Sequence, residues 1–247
     1  MSVEACAAFV ERADPDRFLA AMAAPPEARR VLFPIYAANA EIARAPYAAS
    51  EALIAEMRLQ WWRDAMGEIV VGEGVRRHEV TTPLAEVLPP AGARLMSMAA
   101  DARSWDVSGE PFADEHALLF HIDGTAGNLS WASALALGTT DLDLEGRVRD
   151  EATAGGLAAW LRAVPAYRER GREPLPDASE AAIRALAERG LSMLGAVPKG
   201  PARTALLWTW QARAILAQAA AEPSRVAAGT LGTSEFRRRG SLLLRSF

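Results

Sequence analysis

The sequence has almost no cysteine and almost no lysine. Cys6 is the only cysteine and Lys199 the only lysine, so arginine supplies nearly all of the positive charge. A single cysteine excludes a disulfide framework and a thiolate cluster for zinc or iron–sulfur, which is typical of a reducing compartment. The richness in arginine and alanine is typical of a GC-rich bacterial genome and says little about function.

Long uncharged apolar runs are also missing. No run reaches the 18 or so residues that a membrane span needs. The N-terminal stretch MSVEACAAFVERADPDRF has early acidic residues and lacks the pattern of a signal peptide. The formal net charge is −4, and we expect no nucleic-acid partner. We therefore expect a cytoplasmic protein that is soluble or peripheral at the inner face of the membrane, and its oligomeric state stays open.

Helix patterns run through the whole chain. Asp14-Pro15 and Pro25-Pro26 each predict a helix start, the second helix reaching Arg44, and Ser50 is the expected N-cap of the next. Further helices are expected over roughly 92–105, 112–137, 148–164, 178–195 and 201–221. Alternating strand patterns are absent. We predict an all-α single domain over 1–247, with a core of about 15–221 and a C-terminal tail of 222–247, as a helical bundle around a central cavity.

The segment EALIAEMRLQWWRDAMGEI carries one conspicuous apolar stripe. Its members recur at spacings of three and four and are Ile54, Met57, Trp61, Ala65 and Ile69. Such a stripe is typical of a helix of about five turns with one buried face. We expect this stripe to be buried.

Few residue patterns suggest chemistry by themselves. His116 and His121 are five apart, so they do not share a helix face as a metal pair would. Asp64 and Glu68 are four apart and could share Mg²⁺, although a solvated helix edge is the favoured interpretation. Gly124 and Gly127, in HIDGTAGNLSW, predict either close helix packing or a kink beside a ligand.

Three segments resemble the squalene/phytoene synthase family, whose members join prenyl groups head to head. They are FPIYAANAEIARAPY (33–47), HIDGTAGNLSWASALALG (121–138) and AGGLAAWLRAVPAYRERGREPLP (154–176). The resemblance implies an isoprenoid-synthase fold in which the first and last segments face each other across the cavity. It also implies that aspartates on those two segments bind Mg²⁺, which holds and ionises the diphosphate of the substrate.

The acidic positions of both motifs carry other residues in this chain. The family's aspartate and glutamate positions fall on Ala43, Arg44 and Tyr47 in the first segment and on Ala163, Ala166 and Tyr167 in the last. Pro165 is expected to break the helix between them. We therefore predict no catalytic residues, no metal site and no cofactor.

A narrower resemblance points to one branch of the family. Asn39-Ala40-Glu41, Met57 through Ala65 and Leu161 through Pro165 resemble the phytoene-synthase-like proteins that include a mitochondrial respiratory complex I assembly factor. This resemblance implies a non-catalytic accessory or assembly factor with membrane-complex partners, with an isoprenoid or lipid as an expected ligand of the old cavity. The candidate cavity or ligand residues are Tyr36, Asn39, Glu41, Arg44, Arg58, Trp61, Asp64, Gly124, Gly127, Trp131, Arg162 and Arg172.

Two further alternatives stay open at this point. The first is an active prenyltransferase with displaced acidic ligands, for which Asp64, Glu68 and Glu41 are the candidates and Mg²⁺ would be required. The second concerns the tail RRRGSLLLRSF, which could rest on an anionic membrane surface or pack against the bundle.

Overall fold

The computed structural model describes residues 2–49 and 51–246, with side chains up to Leu243. Within these ranges the chain is helical and contains no β-strand, as predicted. The α-helices are, in chain order, α1 Val3–Ala13, α2 Pro15–Ala23, α3 Pro26–Arg44, α4 Ala52–Val71, α5 Thr81–Ala85, α6 Pro90–Ala102, α7 Ser104–Ser108, α8 Glu115–Ile122, α9 Asn128–Ala136, α10 Glu145–Glu169, α11 Glu180–Met193, α12 Gly200–Ala205, α13 Ala212–Ala221, α14 Ser224–Ala227 and α15 Glu235–Ser246. Single turns of 3₁₀ helix cover Ala45–Tyr47, Leu142–Leu144 and Leu207–Thr209, and a π-helical turn covers Asp123–Gly127.

The predicted helix starts follow from local capping chemistry. The carboxylate of Asp14 accepts the backbone N–H of Arg17 at 2.9 Å, and Pro15 occupies the first position of α2. Proline suits that position because its missing N–H has no partner in the first turn. α3 begins at Pro26, directly after Pro25. The predicted cap Ser50 lies outside the described residues.

The longest helix, α10, lies at the centre of the bundle and packs against α8, α9, α11, α13 and α14. Its glycines allow close approach of these neighbours. A Cβ atom at Gly155 would lie 2.7 Å from Cγ2 of Thr209, and one at Gly156 would lie 2.6 Å from Cγ2 of Ile122. The alanine and glycine content of α10 therefore determines how tightly the bundle closes around it.

The predicted helix break at Pro165 is wrong, because α10 continues through this residue to Glu169. An internal proline removes one backbone hydrogen bond and costs on the order of 3 kcal/mol. Leu161 and Val164 are fully buried on the turn before it, and Pro165 itself packs against Gly229. Packing on both sides of the proline offsets the local cost.

The predicted buried stripe of α4 is wrong in its N-terminal half. Ile54 is 40 % exposed and Met57 63 % exposed, whereas Ala65 and Ile69 are buried as expected. The buried face consists of Ala55, Leu59, Trp62, Ala65, Met66 and Ile69. Two apolar stripes overlap in this segment at helical spacing, and α6 packs on the one that contains Trp62.

The C-terminal tail packs on the bundle. Leu242 is buried, and the indole N–H of Trp210 donates to the carbonyl of Arg238 at 3.1 Å. Asp16 on α2 accepts from Arg162 of α10 and from Nε of Arg238, each at 3.0 Å. Burial alone would raise the pKa of Asp16, but these two guanidinium groups lower it below the ordinary value. Within the described ranges, no helix is long and apolar enough to cross a bilayer.

The close approach at Gly156 can be tested by stability measurements. We expect Gly156→Ala to lower the free energy of unfolding by about 1–3 kcal/mol, because the added methyl group would overlap Ile122 and Ala126. Gly67→Ala is the control. Gly67 lies inside α4 with open space around it, so its replacement should be neutral or stabilise by up to about 1 kcal/mol. Equal losses for both variants in chemical denaturation would contradict the packing argument.

Candidate functional site

A cavity of about 180 Å³ lies between α3, the π-helical turn and α10. Asn39 of α3 lines it on one side and Ala163 and Tyr167 of α10 line it on another, so the two predicted segments share one cavity. The remaining lining residues are Arg17, Arg103, Ile122, Thr125, Ala126, Gly156, Ala159 and Trp160. The lining is therefore positively charged and contains no carboxylate.

A hydrogen-bonded network of four residues adjoins this cavity. Nη1 of Arg103 donates to Oδ2 of Asp106 at 3.0 Å, and the hydroxyl of Tyr47 donates to Oδ1 of the same carboxylate at 2.6 Å. Asp106 is fully buried. Tyr167 lies close enough to interact with this carboxylate, with Arg103 and with Tyr47.

The electrostatics of the network keep both tyrosines neutral and Arg103 charged. Burial, together with the charge of Asp106, raises the pKa of Tyr47 and of Tyr167. Burial disfavours the charged form of Arg103, but the attraction of Asp106 outweighs this and raises the pKa of the guanidinium. A permanent cation therefore stands beside the cavity, compensated by one carboxylate.

These residues do not fit a magnesium site. Mg²⁺ requires oxygen ligands and usually one or two carboxylates. The carboxylate of Asp106 is already occupied by Arg103 and Tyr47. Among the residues that the structure describes, no group of three or more histidine, cysteine, aspartate or glutamate side chains could hold a metal ion.

Comparison with known proteins identifies the family. Residues 10–179 match the family described as Squalene/phytoene synthase. The chain belongs to the squalene/phytoene synthase family. Its fold is that of a solved dehydrosqualene synthase in complex with ligand, with a TM-score of 0.75 at 14 % sequence identity over 98 % of this chain and 94 % of that one. The predicted fold class is thereby confirmed.

The chain is also similar to animal proteins that are named as assembly factors. The chain is 24 % identical over 183 residues to the bovine protein named NADH dehydrogenase (ubiquinone) complex I, assembly factor 6. The human protein of that name is 23 % identical over 183 residues, and the homolog from Drosophila melanogaster is 26 % identical over 177 residues. Each match covers 69 % of this chain and 52 % of the relative. The match thus spans about half the length of these relatives.

The positions that carry aspartate or glutamate in the family motif are scattered in this member. Ala163 and Tyr167 line the cavity, and Tyr47 binds Asp106 beside it. Ala43 is half-buried and lies outside the cavity lining, and Ala166 is exposed. Arg44 is exposed and pairs with Glu41 at 3.1 Å. The cavity therefore receives one aromatic side chain and one methyl group from these positions, and Tyr47 lies beside it.

Four predicted ligand residues line a second, separate site. Glu41, Arg44, Arg58 and Trp61 line a surface groove of about 390 Å³, whose aromatic floor includes Trp62 and His78. The rings of Trp61, Trp62 and His78 contact one another edge to face, with centroids 5.0–5.8 Å apart. These four residues line this groove and not the central cavity, which differs from the prediction. α3 directs Asn39 inward and its next turn outward, and Arg58 and Trp61 lie on α4.

The candidates for displaced metal ligands point away from the cavity. Glu41 pairs with Arg44 in the surface groove. Asp64 is exposed and accepts from the amide of Gln60 at 2.6 Å. Glu68 accepts three side-chain hydrogen bonds, from Nε and Nη2 of Arg76, and one from the backbone N–H of Arg76, and these bonds lower its pKa. None of the three lines the cavity.

None of the remaining candidate ligand residues lines the cavity. Trp131 is buried in the core, and Tyr36 is buried with a hydroxyl that has no hydrogen-bond partner among the described residues. Gly124 and Gly127 lie in the π-helical turn, where a Cβ at Gly127 would overlap the carboxylate of Asp123. Arg162 pairs with Asp16, and Arg172 lies over the ring of Tyr47.

Sequence reasoning missed Arg17, Arg103 and Asp106. Arg17 lies on one short stretch and Arg103 and Asp106 lie together on another, and both stretches are outside the three segments that resemble the family. Arg17 reaches the cavity from the first turn of α2, and its Nε is buried with no hydrogen-bond partner among the described residues. An arginine followed three residues later by an aspartate was the only local pattern that joined Arg103 to Asp106.

An aromatic cluster closes the cavity on the side of α8. Trp105 stacks on Phe112 with centroids 4.4 Å apart, and both contact His121 and Trp160 at 5.4–5.8 Å. Burial lowers the pKa of His121 from its ordinary 6.5 to about 4, and the charge of Arg103 adds to this effect. His121 is therefore neutral near pH 7.

The buried histidine predicts a pH-dependent stability. The folded pKa of His121 lies below the unfolded value, so the unfolded chain binds the proton more readily and stability falls as pH drops from 6.5 towards 4. Between pH 7.5 and pH 5 this group should account for a loss of about 2 kcal/mol in the free energy of unfolding. His121→Phe keeps the ring and should remove that part of the loss.

The control for this measurement is His116→Phe on the same helix, where the side chain is exposed. Urea denaturation at the two pH values would compare the three proteins. An unchanged pH dependence in His121→Phe, or an equal change in both variants, would refute the assignment.

Proposed function

We propose that this chain is a non-catalytic member of the squalene/phytoene synthase family and acts as an accessory factor, of the kind named for the assembly of respiratory complex I. The observation that carries the proposal is the network of Arg103, Asp106 and Tyr47. Tyr47 and the neighbouring Tyr167 occupy two positions for which the family resemblance implies carboxylates, and both are neutral tyrosines beside the guanidinium of Arg103, which supports the proposal. The relatives named complex I assembly factor 6 support the accessory role.

The size of the cavity supports the absence of prenyl transfer. Sites for small molecules usually measure about 300–1,000 Å³. The cavity here is about 180 Å³, which is below that range. Two prenyl diphosphates, which a head-to-head condensation must hold together, exceed that space.

The same cavity suits a single anionic head group. Arginine binds phosphate oxygens directly and needs no bridging metal. Arg17, which pairs with Asp14, and Arg103, which pairs with Asp106, present two guanidinium groups to the cavity. Asn39 and Thr125 offer further hydrogen-bonding groups. A second cleft of about 120 Å³ shares Arg17 and Ala159 with it. We propose that the head group of an isoprenoid phosphate or a phospholipid binds here, without Mg²⁺ or another cofactor.

We further propose that the protein works in the cytoplasm and contacts the inner face of the membrane peripherally. The exposed, arginine-rich face of α15 supports this location. The protein partners would be those of a respiratory complex, as the names of the relatives suggest.

The proposal predicts an inactive protein in the standard assay of the family. The purified chain, incubated with farnesyl or geranylgeranyl diphosphate, Mg²⁺ and NADPH, should release no pyrophosphate above background and form no squalene or phytoene. Each lost electrostatic partner of the leaving group costs on the order of 10²–10³ in rate, and both acidic clusters are replaced. Ala163→Asp should not restore turnover.

One outcome would contradict this prediction. Turnover that disappears in Asp64→Ala or Glu41→Ala would establish the active prenyltransferase alternative with displaced ligands.

The accessory role gives a prediction of its own. In the organism that encodes the chain, deletion of its gene should lower the amount of assembled complex I on native gels and leave squalene and phytoene unchanged. A deletion that changes only the hydrocarbons would refute the accessory role.

Metal-free anion binding gives a separate prediction. Calorimetric titration with inorganic pyrophosphate in the presence of EDTA should detect binding, and Arg17→Met or Arg103→Met should weaken it at least about tenfold, because each removes charged hydrogen bonds worth roughly 1.5–3 kcal/mol. Arg58→Met in the surface groove is the matched control and should bind like the wild type. Binding that requires Mg²⁺, or that is lost in Arg58→Met alone, would contradict the cavity assignment.

A further inference from the structure

The C-terminal helix α15 has two faces of opposite character. Its inner face is fixed to the bundle by the contacts of Arg238 with Asp16, by the hydrogen bond from Trp210 and by buried Leu242. Its outer face presents Phe236, which is 89 % exposed, and Leu243, which is 61 % exposed. Phe236, Gly240 and Leu243 are spaced by four and three residues, so they lie along one line of the helix.

The outer apolar line is bordered by positive charge. Arg237 and Arg239 are exposed beside Phe236. Glu235 is the one acidic residue of α15, against four arginines. It makes a 2.7 Å contact with Arg238 and only a loose 3.7 Å contact with Arg239, whose side chain is 74 % exposed. The charge next to the exposed phenylalanine is therefore free to meet an external anion.

We infer that the outer face of α15 is a docking surface for anionic membranes. A helix with large apolar side chains on one line and arginines beside it lies in the interface of a bilayer, where the apolar groups enter the head-group region and the arginines meet anionic lipids. The inference deepens the peripheral location proposed above and rests on it. An anionic lipid surface suits this face because exposed Arg237 and Arg239 flank the apolar line, and the charge of the head groups is complementary to theirs.

The position of α15 links the docking surface to the cavity system. Glu235 and Arg238 of α15 line a cleft of about 510 Å³ together with Asp14, Asp16 and Arg162. Asp14, Asp16, Arg162 and Gln211 also line the 120 Å³ cleft that shares Arg17 with the cavity. A protein docked through α15 therefore holds this series of clefts close to the lipid head groups.

Another exposed apolar patch serves as a matched control. Leu53 and Met57 of α4 are 72 % and 63 % exposed and lie four residues apart. The charged residues next to them in sequence are Glu51, Glu56 and Arg58, so this stretch carries a net negative charge, which an anionic surface would repel. The two patches are similar in apolar exposure and differ in charge.

The test is flotation of the purified full chain with lipid vesicles. We expect binding to phosphatidylcholine vesicles that contain about 30 % phosphatidylglycerol, at least about tenfold weaker binding to pure phosphatidylcholine, and weakening in about 0.5 M NaCl. The double variant Phe236→Ser, Leu243→Ser should bind at least about tenfold more weakly. The pair Arg237→Gln, Arg239→Gln should lose the preference for the anionic vesicles. Leu53→Ser, Met57→Ser should bind like the wild type.

Three outcomes would overturn the inference. They are no binding of the wild type, equal binding to neutral and anionic vesicles, and a loss confined to the α4 variant. Thermal melting of each variant establishes that it is folded, and we expect no large shift because the substituted side chains are exposed. Because the assay uses only lipid and the purified chain, its failure would leave the accessory role to be decided by the native-gel experiment. Failure of that experiment would likewise leave the vesicle result standing.

Discussion

One buried carboxylate balances the positive charge at the centre of this bundle. Asp106 accepts from Arg103 and from Tyr47, at 3.0 and 2.6 Å, and is itself fully buried. A buried charge without a partner costs several kcal/mol, so the end of α6, the short helix α7 and the turn that carries Tyr47 must keep their relative positions. The packing of α7 against that turn is a consequence of this constraint.

The network changes what the cavity can do to an anion. In the chemistry that the family resemblance implies, carboxylates hold Mg²⁺, and the ions stabilise the charge that develops on the leaving diphosphate. Here the positive charge belongs to the protein itself, through Arg103 and Arg17. A guanidinium can bind a phosphate in the ground state, but binding that is equal in ground and transition states does not accelerate a reaction. The proposed function therefore assigns to the family's fold a cavity that binds an anion without metal.

A single helix, α3, supplies two sites that face in different directions. Asn39 lines the cavity, while Glu41 and Arg44 line the surface groove with Trp61. Side chains two and five positions along a helix point away from the side chain of the starting residue. Residues of one sequence motif therefore lie partly in the interior and partly on the surface. Residues that are neighbours in a motif therefore need not belong to the same site.

The sequence by itself determined the helical class and the starts of α2 and α3. It also determined that both motifs lack their acidic residues. Capping by Asp14 and proline acts within one turn, and a carboxylate that is not encoded cannot be supplied by folding. Tertiary structure decided that the stripe with Trp62 is buried and that α10 continues through Pro165, because the packing of neighbouring helices outweighs local preference. It also decided that Arg17, Arg103 and Tyr47 converge, since side chains from distant segments share no local pattern that reveals their contact.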